Sequence, residues 1–233
     1  MKKLLIIALV LLVTACTQKP SQKTVKQPAG SATVVTGLNQ QTSINNTDYD
    51  VLNQNKPGFT KADIEKGRQP FEEYAPLDSL GRCGVAYARI GLDSMPTGRR
   101  EPIGMIRPSG WQYSKYYWID GKYLYNRCHL IGHQLAGENA NPLNLITCTR
   151  HMNAIGMLPF ENQVAEYVRK TGNHVLYRVT PVFRNQDLVA RGVKMEAWSL
   201  EDNGSLHFNV FVHNIQPNVS IDYADGSNHV IEN

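Results

Sequence analysis

The sequence predicts an α+β domain with a mostly antiparallel sheet, and three observations carry that reading. Three β-rich runs, "HVLYRVTPVF", "GVKMEAWSL" and "LHFNVFVHNI", follow one another through the last quarter of the chain with only loops between them. Ahead of them "LPFENQVAEYVRKTG" has Pro159 at a helix start, Val164, Tyr167 and Val168 on one face and Gly172 as a stop, which predicts a helix over about Phe160 to Thr171. The aromatic, alternating run "KYYWIDGKYLYNR" turns on Asp120-Gly121, a hairpin signal that predicts strands near Lys115 to Ile119 and Tyr123 to Arg127.

Before the domain come two segments of another kind. Residues 1–15, "MKKLLIIALVLLVTA", place two lysines ahead of an apolar run and small residues, the layout of an export signal too short to span a bilayer comfortably. The run closes on "VTAC", which resembles the bacterial lipobox, so Cys16 is the expected lipid anchor of a mature protein tethered to the cell membrane or outer membrane and facing away from the cytoplasm. Residues 16–47 carry no acid and little apolar bulk, which predicts a flexible polar stalk. Residues 48–233 are long enough for one domain with a sizeable core.

Charge and cysteines set limits rather than an answer. Loss of Lys2 and Lys3 with the signal lowers the formal net charge from +4 to about +2, so any polyanion must be met by locally gathered cations. Lipidation of Cys16 leaves Cys83, Cys128 and Cys148, an odd number that permits one disulfide in an oxidising compartment.

The stretch "YNRCHLIGHQL" holds the chemistry. His129 and His133 stand four apart beside Cys128, a set of zinc-type donors, but the zinc-protease pattern needs a glutamate after the first histidine, and here Leu130 and Ile131 fill the gap. A strand at His129 also abolishes the helical spacing that would put both rings on one face. If Cys128 to Ile131 and Leu145 to Cys148 form an antiparallel ribbon, the second arm entered from the Asn-Pro turn of "NPLNLITCT", then His129, Asn153 and Glu161 converge. An imidazole, a carboxamide and a carboxylate suit a hard cation better than zinc. In that register Cys128 and Cys148 face each other closely enough for a bridge, with Cys83 as competitor.

"NRCH", "NPLN", "TRHMN" and Glu161 in "LPFEN", in that order and spacing, resemble the motifs of the DNA/RNA non-specific endonucleases. Within that ββα-metal (His-Me finger) class the likeness is to the DNA-entry nuclease branch found in competent and pathogenic streptococci and their relatives, and it runs from about Tyr49 to Tyr223. The resemblance implies that His129 is the general base, Asn153 the one side chain directly on Mg2+, Glu161 the carboxylate that holds the ion's waters, Arg127 a phosphate contact and Asn144 a support near the histidine. It further implies Mg2+ as cofactor with Mn2+ as a substitute, DNA and RNA bound through their phosphates, 5′-phosphate products and no obligate protein partner. Asn126 and Cys128 stand where the wider family commonly has Asp and Gly.

Beyond the motifs, Arg99, Arg100 and Arg107, with Trp111, form either a phosphate-binding rim or a solvated loop. Tyr113, Tyr116, Tyr117 and Trp118 read as core and sheet surface rather than as a base-stacking platform, since sequence-indifferent cleavage needs no base readout. His133 and His151 read as loop residues beside the site. Two function classes stay open: a metal-dependent endonuclease, favoured by the intact His129, Asn153 and Glu161, and a non-catalytic lipoprotein that binds nucleic acid or a surface partner on the same fold.

Overall fold

The computed structural model describes residues 48–232; the export signal, Cys16 and the polar stalk lie outside the described residues. Ten strands and three α-helices run in the order β1 (Tyr49–Val51), α1 (Lys61–Lys66), β2 (Glu72–Tyr74), β3 (Ala86–Ile90), β4 (Tyr125–His129), α2 (His133–Ala136), β5 (Leu145–Thr149), α3 (Leu158–Thr171), β6 (Val175–Val182), β7 (Gly192–Ser199), β8 (His207–His213), β9 (Val219–Ile221) and β10 (Asn228–Val230). The main sheet has the order β1-β8-β7-β6-β3-β2. Every pairing in it is antiparallel, so the fold is α+β as expected.

Period-2 alternation decides which face of the sheet is covered. Val175, Tyr177 and Val179 of β6, Met195 and Ala197 of β7, and Phe208, Val210 and Val212 of β8 are buried in one apolar cluster with α3 and the β4–β5 ribbon. On the other face Arg178 pairs with buried Glu196 at 2.9 Å, and the Gly58 N–H donates to that carboxylate at 2.7 Å. Helix α3 begins with Pro159 in its first turn and stops at Gly172, whose φ of 74° is open to glycine at little cost. Its Val164 and Val168 are fully buried, each contributing roughly 1.5–3 kcal/mol.

β4 and β5 form a separate two-stranded ribbon. Cys128 is buried in the core beneath it, whereas Arg127 and His129 belong to the alternate face. Cys128 and Cys148 are joined as a disulfide with Cα atoms 5.8 Å apart, although the register differs from direct opposition: Cys128 faces Ile146 and Cys148 faces Asn126. The bridge is therefore diagonal. Cys83 is a buried free thiol that donates to the Leu145 carbonyl at 3.2 Å.

The expected hairpin around Asp120-Gly121 shrinks to a single bridge, Lys115 with Tyr123. Tyr117 is almost fully exposed and Trp118 touches only the neighbouring Tyr116 ring, and tight turns replace the ladder, with Ile119 N–H donating to Tyr116 O and Lys122 N–H to Ile119 O. The second strand shifts to Tyr125–His129 because β5 takes up its backbone.

Candidate active site

The ribbon, the chain leading into α3, and α2 converge on one cleft of about 770 Å³. His129 closes β4 and is 6% exposed. Its Nε2 lies 2.8 Å from the Asn139 main-chain carbonyl oxygen, which only accepts, so Nε2 carries the proton and Nδ1 keeps its lone pair. Burial moves the imidazole down to about 4; the Asn139 carbonyl works against that shift, and Arg100 and His133 work with it. The ring is therefore neutral through the physiological range. Arg100 Nη2 stands 3.4 Å from Nδ1.

Asn144 occupies the single 3-10 turn Pro142–Asn144 ahead of β5 and is fully buried. Its carboxamide accepts from Ile131 N–H at 2.9 Å and donates to Ile131 O at 3.0 Å, while its own carbonyl accepts from Leu130 N–H at 2.8 Å. Three bonds thus fix the two residues that follow His129. Asn144 supports the ring through the backbone and is not among the residues lining the cleft.

Asn153 and Glu161 are eight residues apart, which in a regular α-helix would leave them about 80° out of line. The segment Met152–Met157 is instead a π-helical turn, with Leu158 N–H bonded to Asn153 O. The wider turn reduces the rotation per residue and brings both side chains to the same cleft. Asn153 Nδ2 points to Asn126 Oδ1 at 3.4 Å, which leaves its own Oδ1 available to a cation. Glu161 is 9% exposed, and burial raises its carboxyl to about 7 against the opposing pull of the Gln134 amide and Arg100. A Cβ on Gly132 would fall 2.6 Å from Glu161 Oε2, so only glycine leaves room for that carboxylate.

Arg127 reaches the cleft with its guanidinium oriented by two carbonyls, donating from Nε to Ile106 O and from Nη2 to Gly104 O at 2.8 Å. The same group lies over the Trp111 ring, 4.0 Å from its centroid. Of the expected basic rim, Arg100 enters the site, Arg107 sits over Tyr113 at 5.8 Å, and Arg99 lines a neighbouring depression with Glu101 and Glu138. His133 lines the cleft as the first residue of α2, so the two histidines lie on a strand and on a separate helix rather than on one helical face. His151 is engaged elsewhere, 2.6 Å from Asp48. The Asn139 carbonyl was invisible to a reading of side chains. Gly132 carried no signal beyond its being a glycine.

The model of the DNA/RNA non-specific endonuclease family matches residues 60–200. The chain belongs to that family. Endonuclease chemistry by hydrolysis, on a fold with a mostly antiparallel central sheet, follows from membership and from solved nuclease structures similar to it. NucA from Streptococcus agalactiae with magnesium ion bound is 26% identical, with 81% of this chain and 93% of that one covered and a TM-score of 0.69. The Sda1 nuclease with bound zinc ion is 25% identical over 80% of this chain and 96% of that one, with a TM-score of 0.65. A structure described as an extracellular endonuclease, 20% identical over 79% of this chain and 98% of that one with a TM-score of 0.56, shares the fold.

A divalent metal belongs to this family's chemistry, and the donors present fit a hard one. They are a carboxamide oxygen with its amide turned away and a buried carboxylate whose ionised form lacks a partner charge nearer than Arg100. The nearest cysteine, Cys128, is bonded to Cys148 in the core and offers no thiolate. Among the described residues no three His, Cys, Asp or Glu side chains cluster as a metal cage.

Proposed function

We propose that this endonuclease is exported and cuts DNA and RNA without regard to sequence, using His129 as general base and Mg2+ as its metal, with Mn2+ as a substitute, to leave 5′-phosphate ends. The observation that most supports this reading is the state of His129: a buried ring, neutral above about pH 4, with Nε2 tied to a carbonyl and an unprotonated Nδ1 that can accept a proton from water once it is uncovered. Arg100 caps that nitrogen at 3.4 Å. A phosphodiester entering the cleft offers the guanidinium a charge-assisted partner stronger than a neutral imidazole, so substrate itself frees Nδ1. Arg127, held by two carbonyls and Trp111, keeps donors for the phosphate.

Asn153 is the side chain that would hold the ion directly through Oδ1, with Glu161 beside it orienting the ion's hydration. Bound there, the metal supplies Lewis-acid stabilisation of charge on the departing 3′-oxygen. Because these residues address phosphates, which carry no base identity, cleavage is indifferent to sequence. Lipid anchoring at Cys16 is part of the same reading and rests on the amino-terminal sequence. Detergent phase separation of wild type and Cys16→Ser checks it: anchoring predicts that only the wild type enters the detergent phase, and equal partitioning removes it.

The direct test is incubation of the purified protein with plasmid DNA and with RNA in Mg2+, Mn2+, Zn2+ and chelator. Both polymers should be cut in Mg2+ and Mn2+ to ends that ligate without added phosphorylation, and neither in chelator. Cleavage supported by Zn2+ alone, or ends that need phosphorylation, would overturn the metal and the product assignments respectively.

A further inference from the structure

Of the aromatic run that the sequence assigned to core and sheet surface, Tyr116 packs against the small apolar cluster of Ile119, Leu124, Tyr125 and Val219, whereas Tyr113, Tyr117 and Trp118 are solvent-exposed. Tyr113 is 65% exposed and Tyr123 44%, and both line the catalytic cleft with Trp111. Tyr117 and Trp118, 93% and 51% exposed, occupy the turn that carries Tyr123. Among the described residues this is a concentrated exposure of large rings, and two of them carry a cation, Lys115 over Tyr123 at 4.8 Å and Arg107 over Tyr113 at 5.8 Å, while Arg127 lies 4.0 Å over the half-buried Trp111 beside them.

Rings alternating with cations, on a surface continuous with a phosphate-directed site, match a polymer that presents flat apolar faces and negative charge at regular intervals. We infer that Tyr113 and Tyr123 form a stacking subsite for the unpaired bases of single-stranded nucleic acid, with Arg107 and Lys115 meeting the phosphates between them. Stacking accepts every base, because every base has a π-face, so this subsite gives strand-state preference without sequence preference. A duplex keeps its bases stacked on one another and meets only the cations. The same polymer then gains an affinity increment when its strands are open.

The inference rests on the nuclease reading for the identity of the ligand, and its test is binding rather than cleavage. In chelator, so that nothing is cut, the full chain is titrated with a fluorescent oligothymidylate of about twelve nucleotides, the span one such groove accepts. A second titration uses an abasic strand of the same length. Wild type should favour the oligothymidylate by about tenfold or more, and Tyr113→Ala or Tyr123→Ala should each remove about tenfold of that affinity while changing abasic binding much less. Tyr113→Phe and Tyr123→Phe keep a stacking ring and should retain the preference. Equal wild-type affinity for both strands, or an equal loss of both in the alanine variants, would overturn the stacking subsite and leave the aromatic face to a protein partner. Failure to cut in any metal, with the base-dependent affinity intact, would overturn the nuclease reading and leave the subsite standing.

Discussion

Gly132→Ala adds one methyl group to the active site and, by the geometry of the cleft, disables it without unfolding the protein. Gly132 has φ −59° and ψ 141°, a conformation alanine adopts freely, so the substitution brings no backbone strain. The new Cβ would stand 2.6 Å from Glu161 Oε2, 2.8 Å from Cδ and 2.9 Å from Oε1, where ordinary contact begins at 3.4 Å. The carboxylate must therefore retreat by roughly 0.8 Å from the position it holds beside Asn153 in the cleft. Displacements near 1 Å at a reacting centre cost about 10²-fold in rate, and overpacking of this kind costs about 1–3 kcal/mol of stability. The assay is initial plasmid cleavage against metal concentration, paired with denaturant unfolding. The variant should fold, turn over about a hundredfold more slowly and need more metal for half-maximal rate. In a Glu161→Ala background the added methyl meets no carboxylate and should cost almost nothing further. A Gly132→Ala enzyme with wild-type rate and wild-type metal requirement would refute the placement of Glu161 in the reaction.

Other outcomes follow from single contacts. Asn144→Ala strands the buried Ile131 N–H and C=O together, so unfolding in urea should show a loss of about 2–4 kcal/mol; a loss below about 0.5 kcal/mol would mean that these bonds do not hold the loop after His129. The Cys16→Ser protein, denatured without reductant, should titrate one free thiol, Cys83, and reduction should cost about 3 kcal/mol for a bridge closing 20 residues; three free thiols before reduction would remove the bridge. In metal-free protein two pH effects oppose one another. His129, lowered to about 4 on folding, contributes stability that is lost as pH falls from about 6.5 to 4, whereas Glu161, raised to about 7, is favourable at low pH and loses that advantage as pH rises from about 4.5 to 7. Glu161→Gln should unmask the His129 slope and be more stable than wild type at pH 8 by about 3 kcal/mol in thermal or urea melts; parallel pH profiles for the two proteins would contradict the Glu161 assignment, and a Glu161→Gln profile that stays flat from about pH 6.5 to 4 the His129 one.

What could be read in advance was what local pattern controls. Helix α3 was legible because Pro159, the apolar face and Gly172 all act within its own length, and β6, β7 and β8 because alternation marks a sheet with one covered face. β3 escaped because all five of its residues are buried and so show no alternation, and β1 and β2 because three residues at a sheet edge carry almost no pattern. The hairpin at Asp120-Gly121 was overestimated since strand propensity needs a sheet surface to pack on, and Tyr117 and Trp118 stay largely in solvent, Trp118 against Tyr116 alone. At the site, His129, Asn153, Glu161 and Arg127 stand out as side chains in ordered motifs. The π-helical turn that aligns Asn153 with Glu161, the Asn139 carbonyl that fixes the imidazole tautomer, and the space left by Gly132 are properties of backbone, and no residue type announces them.

In the mechanism we propose, one histidine of the pair, His129, does the chemistry. Initial rates of plasmid cleavage in Mg2+ for wild type, His129→Ala and His133→Ala, with the metal content of each purified protein, address it most directly. Loss of the base should lower the His129→Ala rate by about two to four orders of magnitude. His133→Ala, which removes a ring from the cleft wall but neither the proton acceptor nor the Asn153 oxygen, should lose far less. Equal collapse of both variants, with stoichiometric zinc in the wild type and none in either mutant, would contradict the account and assign the two histidines to a shared zinc ion.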